Sequence, residues 1–335
     1  MSLTPNQSRN AGSQPITVLI CTSPKAGRGQ AREQVPILLE RLTQAGYLAT
    51  QTDSLATIRE RIDRFQSAEN QRLVIVACGG DGTVSLLADL ATPEIPIVPM
   101  PMGTENLLAR HFGYSADAEQ VFQTIADGCD HRIDAGSANG RLFLVMATCG
   151  FDAEVVRDVH LRRRGHIHRL SYLRPILRGI ARYRFPKIDL RIECDQVARD
   201  PLSEGDPGAT ESSSSSWQPC WAMIFNFPCY GGGLHIEPDA VGDDHLLDVI
   251  TFEQGTLWSG LRYVAGILMR RHLGFTDVTR RRASRVFLSA PTRVPYQLDG
   301  DYVGRLPLKI ETLPGRVCLR LPVGTTFSGR LSNQS

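Results

Sequence analysis

Leu73-Val74-Ile75-Val76-Ala77-Cys78-Gly79-Gly80-Asp81-Gly82-Thr83-Val84 is the stretch on which the fold turns. Its first six residues are apolar and rich in β-branched side chains, the pattern of a buried strand. Three glycines around one carboxylate follow, and residues 84–90 continue with helical spacing. A strand that turns through glycines into a helix is part of a βαβ unit, and the unit recurs on both sides. Upstream, 16–22 and 47–52 read as strands. Val35, Leu38, Leu39 and Leu42 mark a helix stopped at Gly46, and Ile58, Ile62 and Phe65 mark another. Downstream come a strand at 95–100 and helices at 105–111 and 118–126. This alternation predicts a parallel sheet covered on both faces, a three-layer α/β domain over residues 15–130.

The rhythm then changes. Segments 131–137 and 141–148 flank Asn139-Gly140, a strong hairpin signal. Further strands at 188–193, 221–227, 246–252, 284–289, 296–298, 308–311 and 317–321 predict a mainly antiparallel domain of two packed sheets over 131–330. One helix, 257–272, interrupts it. Residues 199–217 are rich in Ser, Gly, Pro and acid and read as a disordered loop inside this domain. Residues 1–14 read as a flexible polar N-terminus without the apolar core of a secretory signal.

A chain of 335 residues is long for one core, which fits two domains. A net charge of +2 argues against a dedicated nucleic-acid binder, so no nucleic-acid partner is expected. The eight cysteines form no Cys-x-x-Cys pair and several sit in apolar runs, as in a reduced, cytoplasmic protein without a zinc site. No apolar run approaches the ~20 residues of a spanning helix. Any membrane contact is therefore expected to be peripheral, on the inner face.

The glycine turn carries the chemistry. Gly79, Gly80 and Gly82 let backbone amides approach phosphates, and the helix beginning near Thr83 adds its positive end. Asp81 would repel a phosphate and reads as a partner of Mg²⁺. The stretch lacks the G-x-x-x-x-G-K-[ST] pattern, which excludes a Walker-type NTPase. A second turn, Pro101-Met102-Gly103-Thr104-Glu105-Asn106, leaves the next strand, with Thr104 reading as N-cap of the following helix. Adjacent parallel strands would set Thr83 and Thr104 beside one cleft. Residues 160–187 hold Arg and Lys without acid, with apolar side chains interleaved at helical spacing, and 270–285 form a second basic cluster. That is the pattern of attachment to a membrane surface. The alternative is two solvated faces packed on the protein by their apolar sides.

Segments 23–29, 79–84, 101–110, 133–134 with 149–153, 230–247 and 298–304 occur in one order across nearly the whole chain. Together they resemble the diacylglycerol kinase catalytic-domain family, which includes sphingosine kinases and bacterial lipid kinases. The glycine motif alone is shared with NAD kinases and phosphofructokinases. The resemblance implies an N-terminal α/β domain of the NAD kinase/diacylglycerol kinase type and a C-terminal β-sandwich, with ATP and Mg²⁺ in the cleft between them. It implies that Ser23, Pro24, Lys25, Ala26, Gly27 and Thr52 line the nucleotide. Gly79, Gly80, Asp81, Gly82 and Thr83 would surround the phosphates, with Gly103, Thr104 and Asn106 nearby.

In Leu298-Asp299-Gly300-Asp301 the family commonly has Asp-Gly-Glu, its last acid accepting a proton. The resemblance therefore makes Asp301 the base, Asp299 a supporting group and Asp81 the third acid of the site. Three positions depart from the family pattern. Ser23 stands where Asn is usual, Glu105 where Gly is frequent, and Asp301 is one methylene shorter. Bacterial relatives hold a structural Mg²⁺ through a side chain at the Asp244 position and backbone groups near Val241 and Leu246; a solvated acidic turn is the alternative. The expected activity is ATP-dependent phosphorylation of a lipid hydroxyl, diacylglycerol-like, at a membrane met through 160–187 and 270–285. A homodimer is left open. Two other readings are a kinase of a soluble acceptor such as NAD, and a non-catalytic protein that binds nucleotide and lipid.

Overall fold

A computed structural model describes residues 16–23, 30–67, 72–161, 183–194 and 213–325. Strands β1 (Thr17–Thr22), β2 (Leu48–Thr52), β3 (Leu73–Gly79) and β4 (Ile97–Pro101) lie parallel in the order β2-β1-β3-β4. Every residue of β3 is buried, as a strand with helices on both faces must be. The helices are α1 (Gln30–Gln44), α2 (Leu55–Ser67), α3 (Asp81–Leu90), α4 (Leu107–His111) and α5 (Ala118–Asp127). The register pairs Gly79 with Pro101, so both glycine turns leave the sheet at one carboxyl edge.

The hairpin of β5 (Cys129–Ala138) and β6 (Arg141–Phe143) turns through Asn139 and Gly140 at φ 49° and 82°. Positive φ at both positions is what a tight two-residue turn requires. Then follow β7 (Met146–Cys149), α6 (Phe151–Leu161), β8 (Asp189–Cys194), β9 (Ser213–Trp217), β10 (Trp221–Phe225) and β11 (Leu247–Phe252). The chain closes with α7 (Leu257–Leu268), β12 (Val278–Ala283), β13 (Arg285–Ser289), β14 (Pro295–Leu298), β15 (Asp301–Arg305) and β16 (Leu308–Leu321).

An antiparallel sheet runs β12-β11-β10-β7-β14-β15. It packs on β16, β13 and β8 through Ala147, Ala222, Ile224 and Val249 on one side and Leu190, Val286, Leu288 and Ile310 on the other. This is the β-sandwich expected beside the α/β domain. The two domains share more than a linker. β16 pairs antiparallel with β5 and β13 and meets β4 in parallel at Leu319–Ile97, so one ten-stranded sheet passes through both.

Several local expectations are corrected. Residues 141–148 are two strands in different sheets, because Asp299 draws the amides of Leu144, Val145 and Met146 out of any ladder. Residues 308–321 form one strand with a bulge between Leu313 and Val317 instead of two strands. The end of the expected loop 199–217 is ordered, since Ser213–Trp217 pairs with β8. Helix 257–272 ends at Leu268 and is followed by a 3-10 turn at His272–Gly274. Among the described residues no helix is long and apolar enough to cross a membrane.

Candidate active site

The site grows from the carboxyl edge of the parallel sheet. Thr52 ends β2, Ser23 follows β1 with its N–H donating to the Cys78 carbonyl at 3.2 Å, and the glycine turns follow β3 and β4. Pro24, Lys25, Ala26 and Gly27 lie outside the described residues. The Met102 N–H donates to the Gly79 carbonyl at 2.8 Å, which draws the two turns together. A Cβ on Gly103 would stand 2.6 Å from the Gly80 Cα, a contact backbone cannot yield to cheaply. Asn106 clamps the Gly103 peptide from both sides, accepting from its N–H at 2.8 Å and donating to its carbonyl at 2.9 Å.

Thr104 does not cap α4. It is exposed, and the helix begins at Leu107 after Asn106 in the left-handed region. The cap comes from the neighbouring turn: the Asp81 carboxylate accepts from the N–H groups of Leu107 at 2.9 Å and Leu108 at 3.1 Å. Asp81, read from sequence as a metal partner, thus braces the second turn onto the first. Burial pushes its pKa up to about 6, against the pull of those amides.

The other lobe supplies the hairpin β14–β15. Asp299 is half-buried at its tip and accepts from the N–H groups of Leu144 (2.9 Å), Val145 (2.8 Å) and Met146 (3.0 Å). It also accepts from the Ser85 hydroxyl of α3 at 2.7 Å, which fastens one domain to the other. Burial raises its pKa, and the four hydrogen bonds oppose the rise. Asp301, two residues on, is exposed, and its Oδ2 lies 3.3 Å from the Cβ position of Gly82. Asp81, Asp299 and Asp301 therefore share one crevice, in which Asp81 and Asp299 are half-buried and Asp301 is exposed.

A buried polar chain fixes that hairpin, and the sequence reading missed it. Gly300 N–H donates to Gln297 Oε1 at 2.7 Å; Gln297 Nε2 donates to Thr148 Oγ1 at 2.9 Å; Thr148 donates to Asp152 at 2.5 Å. Asp152 is also held by Trp221 Nε1 at 2.9 Å and Tyr230 OH at 3.2 Å, and burial raises its pKa. The signal was present in sequence: Gln297 between Tyr296 and Leu298, and Asp152 between Phe151 and Ala153, are polar residues with apolar neighbours. Glu105 adds a link across the cleft mouth, accepting from Gly232 N–H at 3.3 Å and pairing with Arg110 at 3.4 Å. We expect Gln297→Leu to lower kcat on the order of tenfold by loosening the Asp301 turn. Binding at the glycine turns should stay at its wild-type value, since Gln297 lies on the opposite lobe from them.

The implied structural Mg²⁺ at Asp244, Val241 and Leu246 does not fit the donors present. Asp244 accepts from Leu246 N–H at 3.2 Å through one oxygen and pairs with the Arg282 guanidinium through the other. Arg282 also lies 3.5 Å from Asp248, with all three side chains at most 7% exposed. A fixed positive charge thus stands where a divalent ion would need the carboxylate. Among the described residues no cluster of three or more His, Cys, Asp and Glu is placed to hold a metal. We expect Arg282→Met to cost about 3 kcal/mol in urea unfolding, because two carboxylates stay buried without it. The wild-type melting temperature should be indifferent to EDTA.

Half of the arginines of the basic cluster 270–285 are likewise engaged inside the protein, while Arg270, Arg271 and Arg281 are exposed. Arg280 pairs with Glu237 and Asp239, Arg282 with Asp244, and Arg285 with Glu193. Most of segment 160–187 lies outside the described residues.

A parallel-sheet lobe with two interlocked glycine turns, facing a carboxylate from a β-sandwich lobe, is the architecture of a two-domain kinase. Residues 17–138 match the model of the diacylglycerol kinase catalytic domain, and 145–321 that of the YegS C-terminal NAD kinase beta sandwich-like domain. The chain is 30% identical to a diacylglycerol kinase of Mycobacterium tuberculosis (strain ATCC 25618 / H37Rv) over 255 residues, 74% of this chain and 76% of that protein. Against a diacylglycerol kinase of Bacillus subtilis (strain 168) it is 22% identical over 311 residues, 90% of this chain and 95% of that one. A crystal structure of a diacylglycerol kinase from Bacillus anthracis str. Sterne shares the fold with a TM-score of 0.60 at 16% identity, covering 93% of this chain and 98% of its own. The chain belongs to the diacylglycerol kinase catalytic-domain family.

Proposed function

We propose that the protein transfers the γ-phosphoryl group of ATP to the hydroxyl of a diacylglycerol-like lipid at a membrane surface. The observation that carries the reading is the 3.3 Å between Asp301 Oδ2 and the Cβ position of Gly82, a carboxylate of one lobe against the phosphate-binding turn of the other. Backbone amides of residues 79–83 and the start of α3 hold the triphosphate, whose Mg²⁺ arrives with it as part of the substrate. Asp301 accepts the hydrogen bond of the lipid hydroxyl and orients it. The hydroxyl oxygen forms the new bond to the γ-phosphorus while the bond to the β–γ bridging oxygen breaks. ADP leaves, and the hydroxyl proton passes to the Asp301 carboxylate. Asp81 and Asp299 hold turns and touch no reacting atom.

The test is incubation with γ-labelled ATP, Mg²⁺ and a panel of detergent-dispersed lipids. Label in the chloroform phase with diacylglycerol supports the proposal. Label confined to the aqueous phase in the presence of NAD would assign a soluble acceptor, and nucleotide binding with no turnover on any acceptor would remove the enzyme reading.

A further inference from the structure

Helix α7 is apolar over most of its circumference although it lies on the surface. Its inner side is filled: Tyr263 and Ile267 are buried, the Phe185 ring abuts Gly260 and the Phe275 ring abuts Gly266. A capping box between Thr256 and Ser259 secures its first turn. The outer side should then be polar in an ordinary surface helix. Instead Trp258 is 77% exposed, Leu268 66% and Met269 59%, with Leu257 and Leu261 also exposed. Positions 258, 261, 265 and 268 recur at helical spacing, so these side chains form one stripe instead of scattered points. Burial among the described residues does not account for them.

Charge favours one kind of occupant. From residue 254 to 276 the chain holds no acid, while it holds Arg262, Arg270 and Arg271. Arg262 is turned onto the Tyr263 and Phe275 rings and pairs with Asp277, leaving the stripe clear of charge. Arg270 and Arg271 are exposed just past the helix end. An apolar stripe led by a tryptophan, with arginines at its rim and no acid, suits the boundary between acyl chains and anionic headgroups.

We propose that this outer face of α7 seats on a lipid bilayer carrying anionic headgroups. Trp258, Leu261, Leu268 and Met269 enter the acyl boundary, and Arg270 and Arg271 reach the headgroup phosphates. The inference rests on the lipid-hydroxyl reading, and it shifts membrane contact from the charge of segment 270–285 to the apolar stripe before it.

The full-length protein is sedimented, without nucleotide, with vesicles of phosphatidylcholine and phosphatidylglycerol and with vesicles of phosphatidylcholine alone. Wild type should pellet with the mixed vesicles. Trp258→Ser combined with Leu268→Ser should lower that affinity by about tenfold or more. Arg270→Glu with Arg271→Glu should weaken binding to the mixed vesicles only. All four side chains are exposed, so the variants should melt like wild type. They should also phosphorylate detergent-dispersed short-chain diacylglycerol at the wild-type rate while losing activity on the vesicle-borne lipid.

The proposal is overturned if the serine variant binds vesicles as wild type does. It is also overturned if wild type is a dimer that the variant splits without change in vesicle binding, for then a second copy covers the stripe. If wild type phosphorylates no lipid in either form, the kinase reading fails, and the sedimentation result still decides the docking surface.

Discussion

Asp301→Asn should lower kcat by about 10²- to 10⁴-fold, the range for loss of a general base. The variant keeps the size and hydrogen bonding of the side chain and loses its capacity to take a proton. Asp301 is exposed at the start of β15, and among the described residues no hydrogen bond of the core runs through its carboxylate. Melting temperature should therefore hold, and so should affinity for a non-hydrolysable ATP analogue, because the turn at 79–83 is untouched. Equal activity in the variant would remove Asp301 from the chemistry.

The second large effect falls two residues away and is of another kind. Asp299→Ala should destabilise the protein by about 3–5 kcal/mol, read as a lowered urea midpoint. Three backbone N–H groups in a row and the Ser85 hydroxyl depend on this one half-buried carboxylate. Each donor left without an acceptor costs on the order of 1–3 kcal/mol, and partial entry of water reduces the sum. Ser85→Ala removes only the bond between domains, so it should cost about 1 kcal/mol. Activity should fall in Asp299→Ala even where the protein remains folded, since the crossing from β6 to β7 and the turn bearing Asp301 share this anchor.

The two aspartates flank one glycine of a single motif, and the sequence assigned them as base and helper. The helper's partners were not visible, because Ser85 and Leu144–Met146 lie some 150 to 210 positions away in the chain. The same long-range contact explains why residues 141–148, apolar from Leu142 to Ala147, are not one strand. Local pattern was enough where the cause is local: the alternation that gives β1 to β4, the Asn139-Gly140 hairpin, the glycine turns and the cysteines placed in apolar runs, of which Cys21, Cys78 and Cys149 are buried. Gly103 could be suspected of closeness to another backbone, but that backbone proved to be Gly80 only once β3 and β4 were paired.

Charge was the least legible feature. The acidic stretch 238–248 suggested a cation site, and the basic stretch 270–285 suggested an anionic surface. In the fold β12 pairs beside β11 and brings the two together, so Arg280 and Arg282 answer Glu237, Asp239 and Asp244. Part of each cluster that seemed to need an outside partner is thus answered by the other. The sequence reading weighed solvated faces for the basic stretch and a solvated turn for the acidic one; mutual pairing was the third possibility that only tertiary structure reveals. Conversely, α7 drew no functional reading from its letters, because an apolar helix ordinarily belongs to the core.

The central claim is a place: the triphosphate lies on the amides where β3 becomes α3, opposite the Asp301 carboxylate. A crystal structure with a non-hydrolysable ATP analogue tests it most directly. The account predicts the γ-phosphate against residues 79–83, on the side of the cleft that Asp301 faces. A triphosphate bound elsewhere, or with its γ-phosphate turned away from Asp301, would contradict it.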